Sequence, residues 1–198
     1  MELRRRDLSD DPLKQFAAWF ADAREAGVDV PEAVALATST PDGAPSLRMV
    51  LLKGFDERGF VFHTNYESRK GLELAANPRA ALLFHWRALG RQVRIEGTVR
   101  RSSHADSEAY FRTRPHAGRI GAWASPQSRP IADRAALDAA VAEVEARLGA
   151  DPPLPPHWGG FLVMPRSYEF WQHRDDRLHD RFRYRRTRGR WTVHRLAP

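Results

Sequence analysis

The chain has 198 residues, 42% of them hydrophobic, a net charge of +7 and no cysteine. That length suits one domain able to bury about 70% of its unfolded surface. The missing thiols exclude disulfides, thiolate metal sites and a cysteine nucleophile, and no apolar run approaches the roughly 18 residues of a spanning helix.

The opening MELRRRDLSDDP is basic and then acidic with no apolar core, so neither a signal peptide nor a membrane anchor is expected and a reducing cytoplasm is the default. Asp10 and Asp11 offer a cap, Pro12 suits a first helical turn, and Leu13, Phe16, Ala17 and Phe20 form one apolar stripe that stops near Gly27. Short β-like runs follow at Ala33 to Thr38, Leu47 to Lys53, Phe60 to Thr64, Ala80 to His85 and Gln92 to Arg100, with turn signals at Pro41-Asp42-Gly43, Glu57-Arg58-Gly59 and Ala88-Leu89-Gly90. Ser68 to Ala76 reads as a helix closed by Asn77-Pro78.

Helical periodicity returns over Ser103 to Arg112 and Ile131 to Leu148, the second ending at Gly149, while Gly121 to Ser128 reads as a tight polar loop. A stiff connector at Asp151 to Pro156 leads to strands at Gly159 to Met164, Tyr168 to Trp171, Phe182 to Tyr184 and Trp191 to Arg195. The class is mixed but mainly β: an antiparallel barrel with helices laid around it, residues 1–30 forming an arm and helix and residues 103–148 a helical insertion within one domain of residues 1–198.

Arginine supplies 29 of the 32 positive charges, spread along the chain rather than gathered in a block, which argues against a nucleic-acid partner. Two of the three lysines fall in motifs. In Arg48-Met-Val-Leu-Leu-Lys53 the basic ends lie on opposite faces of a regular strand and address different partners, although a strand with charged ends would read the same. Ser68-Arg-Lys70 puts two cations on the first turn of a helix, where they oppose the dipole unless an anion lies there; a phosphate resolves that conflict. Tyr110 and Arg114 sit at a helix end, either as an ordinary cationic cap or as a second anion site. In RLHDRF, extended backbone would turn Arg177, His179 and Arg181 to one side and Leu178 and Phe182 to the other, a surface for an anion beside a proton carrier; a basic edge strand would look similar. No histidine spacing suggests a metal site, and no glycine-rich dinucleotide fingerprint precedes a helix.

The motifs RMVLLK at 48–53, TN…SRK at 64–70, RQVRIEG at 91–97, YFRTRP at 110–115, IGAW…QS at 120–128, WGGF at 158–161, EFWQ at 169–172, RLHDRF at 177–182 and RLAP at 195–198 together resemble the pyridoxamine 5′-phosphate oxidase family over nearly the whole chain. The resemblance implies an FMN-binding split β-barrel of antiparallel, Greek-key type, working as a homodimer with FMN at the interface, each site built from both chains. It implies oxidation of pyridoxamine or pyridoxine 5′-phosphate with oxygen as acceptor.

By the same resemblance, FMN is held by Arg48, Met49, Val50, Leu51, Leu52, Lys53, His63, Thr64, Arg69, Lys70, Gln92, Gln127, Ser128, Trp171 and Arg181. The phosphorylated substrate is held by Lys53, Tyr110, Arg114, Gly118, Arg177, Leu178 and His179, with Arg177 and His179 as the catalytic pair. His63 stands where the family usually has Tyr or Phe, and Gly118 where a Ser commonly helps hold the substrate phosphate. The chain also starts just before LRRRDL, without a longer basic arm. A phenazine-pathway flavin oxidase, or a noncatalytic protein binding FMN or pyridoxal phosphate, shares these features in part.

Overall fold

The computed structural model describes residues 2–198. Asp11 accepts a hydrogen bond from the Leu13 amide at 2.9 Å and Pro12 takes the first helical position, so helix α1 (Pro12–Glu25) begins where its capping residues dictate. Its buried face carries Phe16, whose ring meets Phe55 and Phe60 edge-on at 4.9 Å and Phe84 at 5.0 Å, so α1 seals one end of the core. Asp11→Ala removes that cap and should cost about 1 kcal/mol, lowering the melting temperature by about 2–4 °C in a thermal scan.

Strands β1 (Ala33–Ser39), β2 (Pro45–Leu51), β3 (Gly54–Asp56), β4 (Gly59–Asn65), β5 (Arg79–Trp86), β6 (Arg91–Arg101) and β7 (Trp158–Gln172) pair antiparallel in the order β2-β1-β5-β6-β7-β4-β3. The sheet curls until its far strands meet, and the Lys53 amide just past β2 donates to the Val61 carbonyl of β4 at 2.8 Å. Val34, Leu36, Phe62, Leu82, Phe84, Val93, Ile95, Val163 and Phe170 fill the interior. Alternation puts their neighbours outside, and on β2 these are Leu47, Met49 and Leu51, exposed at 69%, 62% and 42%.

The segments read from sequence as two strands, Gly159 to Met164 and Tyr168 to Trp171, are one strand of 15 residues. Pro165 interrupts the apolar pattern but not the ladder, because β6 shifts register between Glu96 and Gly97 opposite it. A side chain at Gly97 would bring its Cβ within 2.2 Å of the Met164 carbonyl oxygen, so the bulge demands glycine. The first half of β7 pairs with β4 and the second with β8 (Asp180–Thr187), which pairs with β9 (Arg190–Leu196). This shared strand splits the barrel from a three-stranded ribbon.

Helix α2 (Arg69–Ala76) follows β4, and α3 (His104–Arg112), α4 (His116–Ala124) and α5 (Arg134–Leu148) lie between β6 and β7. The expected loop at Gly121 to Ser128 is helical through Ala124. Ile120 and Ala124 bury one turn apart against Val144 of α5, which outweighs the helix cost of Gly118 and Gly121. Docking of α3 is fixed at Ser107, whose hydroxyl accepts from the Gly160 amide at 3.1 Å.

Candidate functional site

Ser68 caps α2 by accepting from the Gly71 amide, and the two cations of its first turn then diverge. Arg69 turns along the surface to the Glu73 carboxylate at 2.9 Å. Lys70 turns inward, 9% exposed, and donates to Thr64 Oγ1 and Ser68 Oγ, each at 3.1 Å, and to Gln127 Oε1 at 2.9 Å. All three partners are neutral. Burial, with Arg48 adding to it, pushes the Lys70 amine down to about 8.

Arg48 projects from β2 to the same buried Glu73, at 3.4 Å, and also donates to the Leu36 carbonyl at 3.2 Å and to the hydroxyls of Thr38 and Ser46. Burial opposes the charge on Glu73, but hydrogen bonds from Ser46, Thr38 and Arg69, with Arg48 nearby, hold its carboxyl down at about 2. Glu73 therefore balances Arg48 and Arg69, and Lys70 is left without a counter-charge.

Lys70 and Thr64 open on a cavity of about 480 Å³ that Met49, Val50, Leu51, Lys53, His63, Tyr110, Arg114, Gln127 and Trp158 also line. The Arg114 guanidinium lies 4.6 Å over the Trp158 ring, and its Nη1 is buried with no hydrogen-bond partner. Burial lowers its proton affinity, with Tyr110 opposing. Gly118 leaves the guanidinium uncovered, since a Cβ there would stand 3.4 Å from Arg114 Nη2. The His63 ring lies nearly parallel to Tyr110 at 3.9 Å and to Trp158 at 5.4 Å, with both nitrogens buried and unbonded. Burial first, and Arg114 and Lys53 after it, push His63 down to about 4.

Three more of the predicted residues lie on the outer face of β6, β7 and β8. Gln92, Trp171 and Arg181 are consecutive partners across that ladder. Arg181 binds the Glu169 carboxylate at 2.7 Å and the Ala197 carbonyl at 2.9 Å. The extended RLHDRF expected from sequence is corrected: β8 starts only at Asp180, and Arg177 sits in a turn with φ of +64°. Arg177 and His179 therefore do not alternate along a strand with Arg181. The Arg174 amide donates to His179 Nδ1 at 3.1 Å, which leaves Nε2 to carry the proton of the neutral ring, and that ring rests 4.5 Å from Trp171. Leu178 is 65% exposed.

One chain thus brings together Lys53, Tyr110 and Arg114 in the cavity and Arg177, Leu178 and His179 elsewhere. The two clusters lie at opposite ends of β7: Trp158 of the cavity opens the strand and Trp171 nearly closes it, about 43 Å further along at the usual rise per residue. Leu52 faces the core, Arg48 is spent on Glu73, and Ser128 sits at φ +71° beyond the lining residues. Two residues outside the sequence prediction matter here: Trp158 under Arg114, and Glu73 between two arginines. Only the second had a local signal, its i,i+4 spacing from Arg69. A larger cleft of about 750 Å³ between Pro45 and Arg185 contains none of the predicted residues. No group of His, Asp and Glu able to hold a metal ion occurs among the described residues, and no described helix is long and apolar enough to cross a membrane.

Residues 20–148 match the family described as pyridoxamine 5′-phosphate oxidase, and residues 158–198 match a pyridoxine 5′-phosphate oxidase C-terminal dimerisation region. A pyridoxine/pyridoxamine 5′-phosphate oxidase of Ralstonia pickettii (strain 12J) is 56% identical over 97% of this chain and 91% of its own. One of Salinibacter ruber (strain DSM 13855 / M31) is 54% identical over 100% of this chain and 94% of its own. Among solved structures, PhzG from Burkholderia lata 383 in complex with tetrahydrophenazine-1-carboxylic acid superposes with a TM-score of 0.93 at 36% identity, covering 100% of this chain and 98% of that one. A pyridoxamine 5′-phosphate oxidase-related, FMN-binding protein of Nostoc punctiforme PCC 73102, at 21% identity and a TM-score of 0.74 over 96% of this chain and 100% of that one, shares the fold.

Proposed function

The chain belongs to the pyridoxamine 5′-phosphate oxidase family, and on that premise we propose that it oxidises pyridoxamine 5′-phosphate and pyridoxine 5′-phosphate to pyridoxal 5′-phosphate, with FMN as cofactor and oxygen as acceptor. The observation that carries this reading is the presence of two uncompensated cations in one cavity. Lys70 has only neutral partners and Arg114 has a bare Nη1, which suits one phosphate on the cofactor and another on the substrate.

FMN fits the residues present. Its phosphate would take Lys70 and the capped start of α2, and its flat apolar ring the stripe of Met49 and Leu51. Bound there, FMN would supply the redox chemistry, a two-electron acceptor for the hydride equivalent leaving C4′ and a donor to oxygen, which with a second proton from the C4′ amine or hydroxyl becomes hydrogen peroxide. The protein's part is placement and proton management. Lys53, Tyr110 and Arg114 would anchor the substrate phosphate, and Arg177 and His179 would orient the C4′ amine or hydroxyl and take its proton, His179 from a ring whose tautomer the Arg174 amide sets. On the amine substrate the resulting imine carbon takes up water and releases ammonia to give the aldehyde.

The active unit in this reading is a homodimer, the cavity of one protomer being completed by Gln92, Trp171, Arg177, His179 and Arg181 of the other. Two observations support it: those groups lie at the far end of β7 from the cavity within one chain, and the β2 face beside the cavity exposes Leu47, Met49 and Leu51. The likeness to PhzG supports a second reading, an oxidase for a phenazine-type ring, but such a ring without a phosphate leaves Arg114 unused.

Mixing the FMN-loaded protein with pyridoxamine 5′-phosphate under air and measuring aldehyde and peroxide separates these readings, and no peroxide would refute the proposal. His179→Ala with FMN still bound should lower kcat at least about 100-fold, the low end for loss of a general base. Turnover equal to the parent enzyme would remove His179 from the proton path.

A further inference from the structure

His63 is the one imidazole of the cavity, and its ring nitrogens are both buried and both without a partner. Such an orphan costs roughly 1–3 kcal/mol unless something absent from the polypeptide satisfies it. Three features show what that is. Stacking on Tyr110 at 3.9 Å, with Trp158 at 5.4 Å, fixes the plane in which the ring nitrogens lie. Gly160, opposite His63 in the β4–β7 register, leaves the ring its room; a Cβ there would stand 3.1 Å from Nε2. Trp158, which stacks with His63, also lies under the Arg114 guanidinium at 4.6 Å, so His63 belongs to the Arg114 side of the cavity, where Arg114 and Lys53 act on its ring against Asp106. Arg114 lines the same cavity, and its Nη1 is an orphan too.

Burial first, with Arg114 and Lys53 outweighing Asp106, keeps the imidazole neutral near pH 7, with one N–H to donate and no charge of its own. Orphan donors on Arg114 and His63, with the Lys53 ammonium beside them, have one common solution, an oxyanion lying among them. Resting on the oxidase reading above, we propose that His63 is a ligand of the substrate's phosphate, donating from a ring nitrogen to a phosphate oxygen that Arg114 and Lys53 also hold. Gly118 of α4 offers no side-chain donor at the face of Arg114, and His63 makes up the coordination from β4.

The test uses FMN-loaded protein with His63→Phe, which keeps a stacking ring but no nitrogen, and His63→Gln, which keeps a donor. Titration calorimetry with pyridoxal 5′-phosphate and with pyridoxal, which lacks the phosphate, reads the contact directly. His63→Phe should bind pyridoxal 5′-phosphate about tenfold more weakly, bind pyridoxal as the parent does, and raise KM about tenfold with kcat within twofold; His63→Gln should recover most of the loss. Equal affinity of parent and His63→Phe for pyridoxal 5′-phosphate, or the same loss for both ligands, overturns the assignment while leaving the oxidase reading intact. Absent turnover in the parent would instead reject the oxidase reading, and the binding contrast would still decide His63.

Discussion

Lys70→Met will weaken FMN binding about 100- to 1000-fold and, in the same protein, raise the melting temperature of the apoprotein at pH 7. Both effects come from one buried amine with three neutral partners. Losing charge-assisted bonds to a phosphate in a half-enclosed site costs about 3–4 kcal/mol, which sets the affinity loss. The stability gain has the opposite source. Burial pushes the Lys70 amine down to about 8, so below that pH the apoprotein holds an ammonium in surroundings that disfavour it. The penalty is full below about 8 and fades as pH rises toward 10.5, the ordinary lysine value, where the unfolded chain loses the same proton.

Methionine removes the penalty and strands nothing. Thr64 can still donate to Gln127 at 3.0 Å, and Ser68 to the Asn65 carbonyl at 2.7 Å. The stability gap between variant and parent should therefore be widest at neutral pH and close above pH 8. FMN affinity of the parent should fall over that same interval, since binding must then restore a proton. Quenching of flavin fluorescence on titrating apoprotein reads the affinity, and a pH series of melts reads the gap. An apoprotein that melts lower than the parent, or an unchanged FMN affinity, would show that Lys70 is a structural amine and not a phosphate ligand.

What the sequence disclosed was the part governed by local rules. Asp11 and Pro12 opening a helix, Ser68 as a cap, and Arg69 and Lys70 on a first helical turn all follow from spacing and side-chain chemistry, and the structure keeps them. Resemblance added the family and the residue set. Long-range pairing was what neither could give. Whether Arg48 meets an anion or a carboxylate depends on Glu73, 25 positions away and on another element. The left-handed turn at Arg177 has no glycine to announce it. Gly118 and Gly121 argued for a loop because the partner that makes α4 worthwhile, Val144, lies on α5. At the site, the sequence offered candidate residues but could not say that one chain holds them in two clusters, because the 15-residue strand β7 that separates them reads as two short ones.

Arg114→Ala should raise KM for pyridoxamine 5′-phosphate about 100-fold and leave kcat within several-fold of the parent. The guanidinium is placed by stacking on Trp158 and not by a carboxylate, so nothing in the protein competes with an incoming phosphate for Nη1. Truncating one partner of a buried, hydrogen-bonded charge pair costs about 2–5 kcal/mol, and here the loss falls equally on bound substrate and transition state, since the phosphate lies away from C4′. That equality is why KM moves and kcat does not. Arg114→Lys separates charge from shape: an ammonium restores the attraction but not the two parallel donors or the flat stacking surface, so KM should recover only partway. The free enzyme offers a second readout. An uncompensated buried cation destabilises the folded chain, so Arg114→Ala should leave the melting temperature unlowered without ligand and abolish most of the rise that pyridoxal 5′-phosphate gives the parent. A KM equal to that of the parent, with the ligand-induced rise intact, would exclude Arg114 from the phosphate site and leave Lys53 and the opposing protomer to hold the substrate.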